Sequence, residues 1–258
     1  MILLLDVGNT RMKWAWLDGA TMSAARAVRH HGAPAAWAED LAEWQTELAA
    51  EGRSPERIVV SNVAGGTFAR LLGGWSKAHL GLWPEFVTSR AEQCGVTSGY
   101  ATPSMLGVDR WLGLVAAHRL APGAACIVNA GTAVTVDALA GDGRHFGGFI
   151  LPGIQLMQEA LYGRTGNVAA AAESEPARTG GLYGINTAGA IESGIQLALS
   201  SLTERACEDL IERSGGPVRL LLTGGDALHL KNSLRRPVEI VPDLVLAGLA
   251  IVAEEAAP

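Results

Sequence analysis

Residues 2–10 read Ile-Leu-Leu-Leu-Asp-Val-Gly-Asn-Thr, and residues 126–133 repeat the pattern as Cys-Ile-Val-Asn-Ala-Gly-Thr-Ala. Each stretch is a short apolar strand that ends in Asp or Asn, with glycine two residues later and then threonine. A second β-rich run follows each, over 11–17 and 133–139, so both stretches predict a β-hairpin. Backbone N–H groups at such glycine turns can hold phosphate oxygens. The repeat therefore predicts two related halves that close on a nucleotide.

Around these hairpins the chain alternates strands with helices, which predicts an α/β fold. Apolar spacing predicts helices over 36–51, 67–80, 108–120, 186–213 and 243–255. Further strands are expected over 57–63, 85–88, 124–130, 145–150, 217–222 and 238–241. Pro152 is expected to begin a helix through Leu161, the helix from 186 to break near Thr203, and residues 163–184 to form a mobile loop. The boundary is expected near 115–123, with domains over 1–117 and 118–258.

Composition excludes several classes of protein. The 258 residues carry 20 Lys and Arg against 26 Asp and Glu, and this net charge of −6 argues against a nucleic-acid surface. Three scattered cysteines fit a reducing compartment and give no metal-finger spacing. No apolar run approaches the ~20 residues of a membrane helix. We therefore expect a cytoplasmic protein that binds neither nucleic acid nor membrane.

The first hairpin turn offers groups that suit a phosphate and a metal ion. Gly8 lets the backbone approach a phosphate, and Asn9 and Thr10 can donate to its oxygens. Asp6 could hold Mg²⁺, which prefers carboxylates, and Lys13 could reach a β- or γ-phosphate. In the strand Arg11–Leu17, Arg11 and Lys13 are expected on the face opposite the tryptophans. An ordinary hairpin turn with an Asx hydrogen bond would have the same sequence.

Two further glycine motifs lie in the second half. Asn129-Ala-Gly131-Thr132-Ala is again compatible with a plain turn, but its pairing with the first motif favours a phosphate clamp. Thr223-Gly224-Gly225 follows a strand and precedes a helix, where glycines let a base or ribose lie against the backbone. The sequence lacks the P-loop, the G-x-G-x-x-G, the G-x-S-x-G and the H-E-x-x-H patterns.

Asp109 and Arg110 lie at the start of a predicted helix, after a loop rich in Gly, Ser, Thr and Pro. Such a pair is often only a helix-start carboxylate and a surface ion pair. A phosphoryl-transfer enzyme, however, needs a carboxylate to orient and deprotonate its acceptor, and a cation for an anionic acceptor. The residues alone leave both interpretations open.

Six motifs, in this order and spacing, resemble those of the type III pantothenate kinases, within the actin, sugar-kinase and heat-shock ATPase superfamily. The resemblance covers essentially the whole chain. The motifs are Asp6–Thr10, Gly107–Arg110, Gly131–Ala133 with Thr135 and Asp137, Gly147–Gly153, Asn186-Thr187 with Gly194, and Thr223–Gly225.

The resemblance implies two ribonuclease-H-like domains with ATP between them, and transfer of the γ-phosphoryl group to pantothenate in the first step toward coenzyme A. It implies that Asp109 is the general base. Asp6 is the implied ligand of Mg²⁺. The implied ATP site comprises Asp6, Val7, Gly8, Asn9, Thr10, Arg11, Met12, Lys13, Gly131, Thr132, Gly224 and Gly225. The implied pantothenate site comprises Tyr100, Gly107, Val108, Asp109, Arg110 and Thr187. A homodimer and a monovalent cation, K⁺ or NH₄⁺, are also implied.

One departure concerns the cation, because many members have Asp where this chain has Asn129. Asn keeps an oxygen ligand but loses the charge, so we expect the cation either to bind more weakly or to have its ligands completed by other oxygens. The family also includes proteins known as Bvg accessory factors, which are linked to a virulence regulator. A nucleotide-binding regulatory protein and a kinase of the same fold for another hydroxyl substrate therefore remain alternatives.

Overall fold

The computed structural model describes residues 1–29, 36–164 and 175–255. The chain divides into two compact units, each built around one mixed β-sheet. The first unit comprises Met1–Ala121 and the C-terminal segment from Asp243, and the second is Pro122–Pro242. This confirms the predicted α/β class. None of the helices in the described ranges is long and apolar enough to cross a membrane.

The sheet of the first unit has the strand order β3-β2-β1-β5-β6, and β4 pairs with β2. The strands β1, β2 and β3 are antiparallel, whereas β5 and β6 continue the sheet in parallel from β1. The strands are β1 (Ile2–Val7), β2 (Arg11–Asp18), β3 (Thr21–Met22), β4 (Arg26–Arg29), β5 (Arg57–Asn62) and β6 (Glu85–Phe86). The helices are α1 (Trp37–Ala50), α2 (Gly66–Leu80) and α3 (Val108–Leu120), and the loop before α3 carries a small hairpin of β7 (Glu92–Gln93) and β8 (Val96–Thr97) and a 3₁₀ turn at Pro103–Met105.

The second unit repeats this plan. Its sheet has the order β11-β10-β9-β14-β15, with β9, β10 and β11 antiparallel and β14 and β15 parallel to β9. The strands are β9 (Ala124–Ala130), β10 (Ala133–Leu139), β11 (His145–Pro152), β14 (Val218–Thr223) and β15 (Glu239–Ile240), and β12 (Thr179–Gly180) and β13 (Tyr183–Gly184) form a separate hairpin. The helices are α4 (Ile154–Tyr162), α5 (Thr187–Ser214) and α6 (Ala227–Lys231). The matching strand orders confirm the prediction of two related halves.

The two faces of the first sheet carry different kinds of side chain, because successive residues of a strand point to opposite faces. On one face, Trp14 and Trp16 of β2 join a core with Trp44 of α1 and Phe68 of α2. The indole N–H groups of Trp14 and Trp16 donate to the carboxylate of Glu51, each at 2.7 Å. The opposite face of β2 carries Arg11, Lys13 and Ala15, as the period-two pattern predicts.

The C-terminal helix α7 (Leu244–Glu255) corrects the expected division of the chain, which placed it in the second domain. It packs against α3 and strand β1 in the first unit. Nearly all its faces are apolar, with Leu244, Leu246 and Leu249 fully buried, so it needs cover on two sides. A Cβ on Gly248 would collide with the carbonyl oxygen of Leu112, so the two helices cross at a distance that requires glycine.

Three local expectations differ from the structure. Pro152 ends β11, and α4 begins only at Ile154, because Gly153 donates its N–H to the Thr132 carbonyl. Helix α5 is continuous through Thr203, whose hydroxyl is satisfied by the Leu199 carbonyl at 2.9 Å. The mobile loop expected over 163–184 lies partly outside the described residues, and its described end contains the β12–β13 hairpin.

Candidate functional site

The turn between β1 and β2 exposes polar side chains at a tight glycine. Gly8 donates its N–H to the Arg11 carbonyl at 3.0 Å, and a Cβ on Gly8 would lie 3.2 Å from the same oxygen. Asn9, Thr10 and Arg11 are exposed. Their side chains are therefore placed to meet an anion.

Two predicted members of this segment are not available through their side chains. Val7 is 0% and Met12 2% exposed, and both belong to the hydrophobic core of the first unit. They pair directly across the two strands. Only their backbone atoms could contribute to a ligand site.

Three polar side chains form a row across the first sheet, immediately before the turn. Asp6 pairs with Lys13 on the antiparallel β2 and with Ser61 on the parallel β5. Directly paired residues project from the same face of a sheet. Asp6, Lys13 and Ser61 therefore share the face on which α3 and α7 pack.

Asp6 lies in a crowded, negatively charged environment. Burial of its carboxyl group and then the charge of Asp109 raise the pKa of Asp6 to about 6, and Asp243 adds to the rise. The neighbouring Ser61 hydroxyl and the charge of Lys13 oppose it. Asp6 and Asp109, which are 103 positions apart in the sequence, thus interact in the fold, as a shared site requires.

Lys13 has a partner that the sequence did not indicate. Its Nζ donates to Oδ1 of Asp243 at 2.7 Å, between residues 230 positions apart. Asp243 immediately precedes α7 and has a φ of +56°. The only sequence signal is an Asp just before an apolar helical run, which is common at helix starts and names no partner. Ser61 was also missed, because it is recognisable only once β5 is known to lie beside β1.

Asp109 and Arg110 occupy the first turn of α3. Oδ1 of Asp109 accepts from the backbone N–H of Arg110 at 2.8 Å, and it would lie only 2.8 Å from a Cβ on Gly107. Glycine at 107 therefore leaves room for this carboxylate. Val108 starts the helix between them.

Arg110 is held from a second side by Tyr100. Arg110 is 6% exposed, and its guanidinium donates to the Tyr100 hydroxyl at 2.6 Å. The guanidinium carbon also lies 5.5 Å from the centre of the Tyr100 ring. The structure therefore brings together the predicted residues Tyr100, Gly107, Asp109 and Arg110 in the first unit.

The glycine motifs of the second unit meet at the ends of two adjacent strands. Gly131 donates to the Ala133 carbonyl at 3.1 Å, which closes the predicted β9–β10 turn and leaves Thr132 exposed. Asn129 on β9 pairs with Thr223 on β14. Gly224 has a φ of +96°, and a Cβ there would collide with the Ala130 carbonyl. Asn129, Gly131, Thr132 and Gly224 thus form one cluster, and Gly225 is exposed beside it.

Thr187 begins α5 in the second unit, after a well-fixed cap. The Asn186 side chain accepts from the N–H groups of Gly189 at 2.9 Å and Arg178 at 3.0 Å, and it donates to the Pro176 carbonyl at 2.8 Å. The cap ties the segment before α5 to its first turn. Thr187 itself is half-buried.

Known proteins are similar to this chain over nearly its whole length. The sequence pattern that defines the type III pantothenate kinases matches residues 2–209. The chain is 37% identical to the type III pantothenate kinase of Nitrosococcus oceani, over 99% of this chain and 94% of that protein. It is 40% identical to that of Aromatoleum aromaticum, over 99% and 98%.

A solved structure supports the fold independently. The activator of 2-hydroxyisocaproyl-CoA dehydratase from Clostridium difficile, with bound ADPNP, aligns with a TM-score of 0.54 at 12% identity, over 99% of this chain and 93% of that chain. At this identity the similarity concerns the fold alone. Together with the repeated sheet order, it identifies the two-domain actin-like ATPase fold.

Proposed function

The chain belongs to the type III pantothenate kinase family, and on that premise we propose that it transfers the γ-phosphoryl group of ATP to the primary hydroxyl of pantothenate. The observation that carries the proposal is the cluster in the first unit. This cluster contains the turn at Gly8–Arg11, called the phosphate-type turn below, together with Lys13, Asp6 and Asp109. Phosphoryl transfer needs such groups, because its catalysis consists mainly of positioning and charge stabilisation.

In this proposal the segment Asp6–Lys13 binds the ATP phosphates. Exposed Asn9, Thr10 and Arg11 donate to phosphate oxygens, and Val7 and Met12 contribute only backbone atoms. Gly131 and Thr132 form the second phosphate turn, and Gly224 and Gly225 lie against adenosine. The positive φ of Gly224 and the nearby Ala130 carbonyl require glycine at this position, so residue 224 places no side chain on that surface.

Asp6 is the proposed protein ligand of Mg²⁺. Mg²⁺ commonly uses one or two carboxylates together with substrate phosphates, and it offsets the negative charge of the transferred group. Among the described residues no group of three or more His, Cys, Asp or Glu could hold a metal ion without such phosphates. A half-buried carboxylate whose pKa is raised to about 6 fits this role, because a nearby cation favours its ionised form.

Asp109 is the proposed general base. Its carboxylate accepts from the Arg110 N–H at the start of α3, which fixes its position at the helix N-terminus. The pantothenate hydroxyl would lose its proton to Asp109 as its oxygen attacks the γ-phosphorus and the bond to the β-phosphate oxygen breaks. A proton transfer of this kind contributes about 10²–10⁴ in rate.

Arg110 is the proposed partner of the pantothenate carboxylate. Its guanidinium is fixed by Tyr100, and Arg binds carboxylates through paired N–H groups. Gly107, Val108 and Thr187 complete the proposed acceptor site. We also propose a homodimer, supported by the exposed apolar side chains Leu182, Tyr183, Ile185 and Leu197 of the second unit.

The test is pantothenate-dependent release of ADP from Mg-ATP. Wild type is expected to turn over, and Asp109→Asn to lose about 10²–10⁴ in kcat while still binding ATP. Asp18→Asn, which removes an exposed charge at the far end of β2, is the matched control and should behave as wild type. A near wild-type kcat for Asp109→Asn would remove Asp109 from this role.

The same assay separates the alternatives. ATP binding without turnover on pantothenate would favour a regulatory protein, and turnover only on another alcohol would favour a different kinase of this fold. Repeating it in K⁺ and in a tetramethylammonium salt tests the proposed monovalent cation near Asn129. Equal rates in the two salts would argue against such a site.

A further inference from the structure

The ion pair between Lys13 and Asp243 is not accounted for by the roles given above. Both side chains are partly buried, with 30% and 26% of their surface exposed, and the contact is short at 2.7 Å. Partly shielded pairs are weakened less by solvent than surface pairs. The pair thus fixes one end of a long, flexible side chain beside the phosphate-type turn.

The backbone of Asp243 supports a specific role for this residue. Its φ of +56° lies in the left-handed region, which residues other than glycine seldom adopt. Its carbonyl accepts from the Ala247 N–H and so begins α7. Residues before a helix usually have extended backbones, so this conformation costs free energy that the surrounding structure must offset. It places the carboxylate against Lys13.

The charges around the pair define what the contact does. The charge of Lys13 lowers the pKa of Asp6, whereas the carboxylates Asp109 and Asp243 raise it, so Lys13 lies close to carboxylates besides Asp243. A mobile Lys13 could be drawn to any of them. Its ammonium has three N–H donors, and the bond to Asp243 uses one, which leaves the others for a phosphate.

We propose that Asp243 is a positioning residue that holds the Lys13 ammonium at the phosphate turn, ordered before the nucleotide arrives. This inference rests on the proposed function for the identity of the ligand, ATP. Ordering one long side chain in advance removes an entropic cost from binding. Asp243 thus acts on ATP through Lys13, although its own charge would repel phosphate.

The test is a double-mutant cycle of Asp243→Asn and Lys13→Met in the full chain. The dissociation constant of Mg-ATP is measured by calorimetry without pantothenate. Asp243→Asn is expected to weaken ATP binding about three- to tenfold, the effect of ordering one rotamer-rich side chain, but not to weaken it when Lys13 is already Met. Asp243→Gly, which tolerates the positive φ but lacks the carboxylate, should match Asp243→Asn. A purely backbone role would instead leave Asp243→Gly like wild type.

Kinetics provide a second readout. Asp243→Asn should raise KM for ATP without changing KM for pantothenate, and Asp18→Asn should change neither. An equal effect of Asp243→Asn in both backgrounds, or tighter ATP binding with Lys13 present, would overturn the proposal. If wild type binds ATP but does not phosphorylate pantothenate, the proposed function fails while the cycle still decides the role of Asp243. If wild type does not bind ATP, both fail.

Discussion

Replacing Asp6 by Asn is expected to make the free protein more stable. Asp6 has a pKa of about 6 against a normal value of 3.8, a rise of about two units. Each unit corresponds to 1.36 kcal/mol, so ionised Asp6 destabilises the fold by at most about 3 kcal/mol. The residue is half-buried, and solvent screens part of this effect. We therefore expect Asp6→Asn to gain about 1–2 kcal/mol at pH 7.5.

The pH dependence of this gain follows from the direction of the shift. Below about pH 3, Asp6 is protonated in both the folded and the unfolded chain, so its charge has no effect. Between pH 4 and 6 the unfolded chain ionises first, and wild-type stability falls as pH rises. Above pH 6 the full penalty is present. The advantage of Asp6→Asn should therefore be about a third as large at pH 4.5 as at pH 7.5.

Urea unfolding monitored by tryptophan fluorescence measures the free energy of unfolding of the first unit, which contains Asp6. All seven tryptophans lie in the first unit, as does Asp6, so the signal reports on that unit. The experiment is done without nucleotide, with Asp18→Asn as the charge-matched control. A gain of equal size at both pH values, or a loss of stability at pH 7.5, would refute the reasoning. The stabilised variant should nevertheless bind Mg-ATP poorly.

Two other substitutions test packing and substrate contacts. Tyr100→Phe removes the hydrogen bond to Arg110 and should raise KM for pantothenate about tenfold, because bonds to charged groups contribute about 1.5–3 kcal/mol; an equal rise in KM for ATP would contradict a local effect. Gly248→Ala should cost about 1–3 kcal/mol in urea unfolding, because its Cβ collides with Leu112. Gly74→Ala, whose Cβ meets nothing within 4 Å, should be neutral or slightly stabilising, and similar results for the two would count against the collision.

Sequence periodicity predicted the parts of the fold that depend on neighbouring residues. The hairpin at Gly8 and its counterpart at Gly131 follow from alternating apolar residues and a glycine turn. The helix beginning at Val108 was also predicted at its observed bounds. In each case the pattern and the turn chemistry lie within about fifteen residues.

The remainder depends on contacts between distant segments. No local pattern shows that the helix from Leu244 returns to the first unit, or that Asp243 meets Lys13. Ser61 joins Asp6 only through parallel pairing of β1 with β5, which fixes no sequence spacing. At Pro152 the local signal itself was misleading. Proline suits a helix start, but here it pairs with Ala133 and lies in strand β11.

The return of the C-terminal helix to the first unit affects how the chain matures during synthesis. The second unit is continuous and can fold once about 242 residues have been made, whereas the first lacks α7 until the residues after Asp243 have also been made. At roughly 5–20 residues per second, the 121 residues between Pro122 and Pro242 take on the order of ten seconds to translate. During that interval strands β1, β2 and β5 lack their contacts with α7. A ribosome that stalls soon after Pro242 would therefore hold a nascent chain with a complete second unit and a first unit that still exposes apolar surface to chaperones and proteases.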